Sequence, residues 1–196
     1  MRTGTELRGA ILEAARTEFA QYGLAGARID RIAKTANASK ERLYAHFGDK
    51  ETLFRQVITT DGAQFFRSVA VRPDAVAEFA GEVFDLALNR PEHLRMVTWA
   101  KLEGLRLEAP EVDGRTVDQR DVTAIADAQA AGAVDRRWNP GELLILLLGV
   151  GLAWAQFPDA DRVSGDSTVL ASRRADVVEA AARIISPRGD SEAVGR

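Results

Sequence analysis

Residues 29–50, IDRIAKTANASKERLYAHFGDK, hold two helical patterns, IDRIAKT and SKERLYAHF, separated only by ANA. Ile29, Ile32 and Ala33 give the first an apolar face about two turns long, and Leu43 and Phe47 give the second the same face at i, i+4. Helices this short are marginal in water, so packing against neighbours must hold them. Asn37 stands where the turn needs a left-handed residue, and asparagine tolerates that conformation best after glycine. Ser39 can cap the second helix by accepting from its first free amides. The stretch is a helix-turn-helix by construction, and the chain must supply apolar surfaces that brace it.

Those surfaces lie on either side. From Thr5 to Tyr22, the residues Leu7, Ile11, Ala14, Ala15, Phe19 and Tyr22 fall on one stripe, and Gly23 ends the helix. Asp49 can cap a further helix carrying Leu53, Phe54, Val57 and Ile58, running to about Arg67. Pro73 and Pro91 mark the starts of two more, and a polar helix is expected from Glu111 to Ala130 with Gly132 closing it. Pro140 opens a strongly apolar helix over 143–157, PDADRVSGDS is a loop, and Val169–Ile185 is a last helix. No segment alternates with period two, so the expected fold is all-α, with about nine helices. The expected division is a three-helix helix-turn-helix domain over 1–50, a helical ligand-binding and dimerisation domain over 51–186, and a disordered tail over 187–196.

Charge is distributed unevenly. Residues 1–56 hold 10 Lys and Arg against 7 Asp and Glu, a net +3, whereas residues 57–196 hold 16 against 22, a net −6. A basic end on an acidic body points to a local anionic partner, although a solvated charge pattern gives the same count. With Leu43 and Phe47 turned inward, Lys40, Arg42, Tyr44 and His46 remain for the outer face of the second short helix. Such donors suit the major groove, where arginine pairs with guanine O6 and N7 and phosphates accept the rest.

Other chemistries find little support. The chain has no cysteine and only two histidines, His46 and His93, so a Cys–His pair is impossible. No P-loop, glycine-rich dinucleotide motif, HExxH or Cys/His metal spacing occurs, so no enzyme activity, cofactor or metal is expected. The longest apolar run, 143–155, has 13 residues, short of the roughly 20 that span a bilayer. Without an apolar N-terminal run as well, a cytoplasmic protein with no membrane contact is the simplest reading.

The segment FAQYGLAGARIDRIAKTANASKERLYAHFGDKETLF resembles the DNA-binding domain of the TetR family of bacterial transcriptional regulators. The resemblance rests on Phe19, Gly23, Ile29, Ile32, Ala33, Ala36, Ser39, Leu43, Tyr44, Phe47, Lys50, Glu51 and Leu53. ADAQAAGAVDRRWNPGELLILLLGVGLAWA is similar to the penultimate region of many members. The resemblance implies a repressor that binds a palindromic double-stranded DNA operator as a homodimer and answers to a small apolar effector. It implies phosphate contacts from Tyr44, His46 and Lys50, and places Ser39 and Lys40 at the opening of the recognition helix. Three departures stand out: Ala27-Arg28 replaces a hydroxyl pair, with Arg28 expected to substitute on phosphate; Asn37-Ala38 replaces Gly-Val; and Glu41-Arg42 replaces a small pair. Arg42 is therefore expected to read a base of its own.

For the body, Phe84, His93, Met96, Trp99, Leu102 and Trp154 are the candidate effector contacts. Leu143, Leu144, Leu147, Val150, Trp154, Val177, Ala181 and Ile184 are the candidate dimer contacts, with Gly149 and Gly151 permitting close helix approach. A helical partner-binding or ligand-binding protein whose helix-turn-helix binds no DNA is the alternative. Salt separates the two, because several phosphate contacts impose a steep salt dependence.

Overall fold

The computed structural model describes residues 3–156 and 166–187. The expected tail beyond Pro187 and most of the 158–167 loop lie outside them. Among the described residues the chain runs α1 (Gly4–Gly26), α2 (Ile29–Thr35), α3 (Lys40–Phe47), α4 (Lys50–Ser68), α5 (Val76–Asn89), α6 (Pro91–Leu102), α7 (Val117–Ala130), α8 (Pro140–Leu152) and α9 (Ser167–Ile185). The fold is all-α except for a small antiparallel hairpin of β1 (Glu111–Val112) and β2 (Arg115–Thr116).

Local signals set most boundaries. Thr3 and Glu6 form a capping box at α1, Ser39 accepts from the Arg42 N–H at 3.3 Å, and Asp49 accepts from the Thr52 N–H at 2.7 Å before α4. Asn37 takes φ 51° in the turn, and Gly132 takes φ 79° after α7. The expected helix over 111–130 is shorter at its start: residues 111–116 form the hairpin, turned by Asp113 at φ 53° and Gly114 at φ 77°. An Asp-Gly pair is a hairpin turn signal, and it prevails here over the polar helical composition. The apolar helix also ends early, at Leu152, and a single 3-10 turn follows at Trp154–Gln156.

Two compact units result. The first comprises Met1–Phe65 and Arg90–Pro110, so it reaches well past the expected boundary at residue 50 and includes α6. Its core joins Ile11, Phe19, Ile32, Leu43, Leu53, Phe54 and Met96, with Phe19 and Phe54 edge to face at 4.9 Å. The short helices α2 and α3 thus gain the apolar bracing they lack alone. Gly23 breaks α1 at φ 66° beneath Trp99; an added Cβ would lie 2.9 Å from that ring and 2.5 Å from Glu103 Oε1.

The second unit comprises Phe66–Asn89 and Glu111–Arg196. There α5 packs on α8 and α9, and α7 packs on α8. Phe79, Val83, Phe84, Ile125, Leu143, Leu147, Val177 and Ala181 fill its core. Gly151 permits the α5–α8 approach, since a Cβ there would meet the Ala80 carbonyl oxygen at 2.7 Å. Arg174 bridges Asp85 at 2.7 Å and Glu78 at 3.0 Å, tying α9 to α5.

Candidate nucleic-acid interface

The outer face of the helix-turn-helix is set by what its inner face buries. Leu43 is fully buried and Phe47 nearly so, which turns Lys40, Arg42, Tyr44 and His46 to solvent. Tyr44 is 45% exposed, a large aromatic left in water on a helix that buries its other large apolar groups. Glu41, the acid among these cations, is held below the usual glutamate range by its own backbone N–H and the Ser39 hydroxyl. It belongs to the helix cap, where a carboxylate favours the N-terminal dipole.

The basic residues divide into held and free. Arg31 donates to Glu18 Oε1 at 2.7 Å and to the Gly26 carbonyl, and its guanidinium lies 4.2 Å from the Tyr22 ring. Glu18, buried inside α1, also accepts the Arg28 backbone N–H at 2.8 Å and so fixes the start of α2. Lys50 Nζ donates to the carbonyls of Ala25 at 3.3 Å and Ala27 at 3.2 Å, tying the start of α4 to the loop between α1 and α2. Lys40 Nζ lies 2.6 Å from Asp30 Oδ1. Among the described residues, no hydrogen bond or ion pair engages the side chains of Arg28, Lys34 or Arg42, all of which are exposed. Glu18 and Asp30 could not be singled out from the sequence. Their signal was present only as acids on helices whose register to the cations depends on the tertiary fold.

The residues expected around an effector are given other surroundings. Met96 is fully buried in the core of the first unit. His93 is buried with Nδ1 3.1 Å from Asp61 Oδ2 and its ring stacked on Phe65 at 5.0 Å. Trp99 donates Nε1–H to the Ala20 carbonyl at 3.3 Å, and Leu102 stands 74% exposed at the end of α6. Phe84 is core in the second unit, and Trp154 lies under the Arg173 guanidinium at 4.2 Å. A surface hollow of about 400 Å³ beside Trp138, Arg137, Arg183 and Ile184, and one of about 190 Å³ beside Leu12, Arg16, Val57 and Asp61, are lined by none of the six.

The expected dimer contacts fall largely within the protomer's own core. Leu143, Leu144, Leu147, Val177 and Ala181 are buried within the second unit of the chain itself, while Val150, Trp154 and Ile184 are half-buried. The apolar residues that α8 leaves outside are Ile145, 67% exposed, and Leu146, 42% exposed, with Gly149 exposed one turn on. A helix apolar on every side gives no periodic signal to separate its two faces.

Residues 11–57 match the family model for bacterial regulatory proteins of the tetR family, and residues 75–183 match that for the tetracyclin repressor-like C-terminal domain. The chain belongs to the TetR family. Its relatives include the HTH-type transcriptional repressor SCO4008 of Streptomyces coelicolor, 34% identical over 178 residues, covering 89% of this chain and 93% of that protein. The repressor AcnR of Corynebacterium glutamicum is 38% identical over 66 residues, 34% of this chain and 35% of that one. The crystal structure of SCO4942 from Streptomyces coelicolor, described as a transcriptional regulator, superposes with a TM-score of 0.78 at 33% identity, covering 92% of this chain and 99% of that chain. This TetR-family chain is a DNA-binding, ligand-responsive transcriptional repressor and not an enzyme; members of the family bind operators and act as dimers. Among the described residues no helix is long and apolar enough to cross a membrane.

Proposed function

We propose that the chain binds a palindromic operator as a homodimer through α3, with Arg42 reading a guanine. Arg28, Ser39, Tyr44 and His46 hold phosphates around it, and Lys40 lies in the groove at the start of the helix. Lys50 acts on the phosphate backbone with the donor it has left, since two of its three N–H groups serve Ala25 and Ala27. The observation that carries this reading is the exposed Arg42 one residue before the buried Leu43, a long planar donor whose side chain has no partner among the described residues. The protein works in the cytoplasm, where its operator is. Its effector is a small apolar molecule that binds the second unit and favours the form that does not bind DNA, because a ligand of equal affinity for both forms shifts nothing.

The test is anisotropy titration of the full chain against a duplex selected from a random library with the wild-type protein. Arg42→Ala is expected to lose about 1–3 kcal/mol on that duplex and to relax preference at one base pair per half-site. Equal loss on every duplex would move Arg42 to the phosphate contacts, and a selection that enriches no sequence would remove the operator reading.

A further inference from the structure

The ion pair between Lys40 and Asp30 sits on the face assigned to DNA, and it joins the two helices of the motif. Lys40 is the first residue of α3 and Asp30 the second of α2; their nitrogen and oxygen are 2.6 Å apart, with the side chains 53% and 68% exposed. A carboxylate on this face opposes binding, because phosphates repel it. Its place in the first turn of α2 gives it a local benefit from the helix dipole, but that does not require a lysine beside it. We propose that Asp30 sets the specificity of the interface by masking Lys40. This rests on the DNA-binding reading above.

The chemistry follows from the ammonium group. A lysine has three N–H donors, so Lys40 bonded to Asp30 keeps two for other acceptors. The pair as a whole is neutral. On DNA of arbitrary sequence, where binding is almost entirely phosphate charge, the masked lysine adds no cation and displaces no counterion. On the operator, a guanine O6 or N7 in reach accepts from the spare donors while the bond to Asp30 persists. Lys40 thus contributes where a base acceptor is correctly placed and is silent elsewhere. Arg28 and Lys34, which have no such partner among the described residues, supply the sequence-independent attraction.

The test measures binding of wild type, Asp30→Asn, Lys40→Ala, the double variant and Glu41→Gln to the selected operator and to a shuffled duplex of the same composition, over a range of salt. Asp30→Asn is expected to tighten binding to the shuffled duplex about threefold to fivefold, the scale of one exposed ion pair. Its salt slope there should steepen by about 0.9, one added phosphate contact. Operator affinity stays within about twofold, so the ratio between the two duplexes falls. These effects vanish when Lys40 is alanine. Equal tightening on both duplexes, matching Glu41→Gln, would reduce Asp30 to a general charge and overturn the proposal, as would survival of the effect in the Lys40→Ala background. Wild type that prefers no selected duplex would instead fail the DNA-binding reading, and this proposal with it.

Discussion

Glu18 carries more of the DNA-binding unit than its place in α1 suggests. Its carboxylate, almost wholly buried, accepts from the Arg28 backbone N–H and from Arg31, so one side chain fixes both the start of α2 and the cation that stacks on Tyr22. Glu18→Ala leaves a part-buried amide without its acceptor and the Arg31 guanidinium with only the Gly26 carbonyl, which costs about 1–3 kcal/mol. Urea denaturation of the two proteins measures it, and an unchanged midpoint would show that water replaces the carboxylate at no loss. Nothing in the sequence separates Glu18 from the other acids of α1, because its partners lie 10 and 13 residues on and meet it only after the chain turns. Asn37 and Ser39 were legible for the opposite reason, since the turn and the amides they serve are local, and Leu43 and Phe47 because their i, i+4 spacing marks an inward face.

At the scale of elements, the helix-turn-helix could be read from its spacing, but the helices that brace it could not all be. The stripes on α1 and α4 were visible, whereas α6 read as part of the body and instead packs on α1. The join between α1, α4 and α6 is a buried polar cluster: Asp61 faces His93 at 3.1 Å and Arg16 at 3.4 Å, and Arg16 also pairs with Glu13. Burial alone pushes the Asp61 carboxyl up, but hydrogen bonding and charge from His93, then Arg16, outweigh it and leave the group below its ordinary value of 3.8. A carboxyl lowered on folding stabilises the protein fully above its unfolded value and loses that contribution as pH falls through the folded one. Asp61→Asn is therefore expected to be less stable than wild type by about 1–3 kcal/mol at pH 7. The gap should narrow as pH drops below 3.8. Denaturation curves at neutral pH and near pH 3 test this; a gap independent of pH would mean that Asp61 acts by shape and not by charge.

At the scale of the whole molecule, a dimer requires an apolar face that the protomer does not use, and α8 shows why the sequence could not identify it. The run ELLILLLGVG places leucine or isoleucine in every direction, so composition indicates burial on two sides without saying which side belongs to which interface. In the fold, Leu143 and Leu147 are fully buried against the protomer's own helices, and Ile145 and Leu146 are left outward. On α9 the exposed residues Ala171 and Ala175 are small enough to let a second helix approach. Two substitutions on one helix should then fail in different ways. Leu147→Ala empties a site in the core and costs about 2–5 kcal/mol of protomer stability. Ile145→Asp puts a charge on a surface already in water, so the monomer keeps its fold and helix content while the dimer dissociates. Because a two-fold operator is held by two recognition helices at once, the monomeric variant should lose most operator affinity with α3 intact. Sedimentation velocity and anisotropy on the same samples decide it. An Ile145→Asp protein that stays dimeric and binds the operator normally would place the interface on another face of the chain.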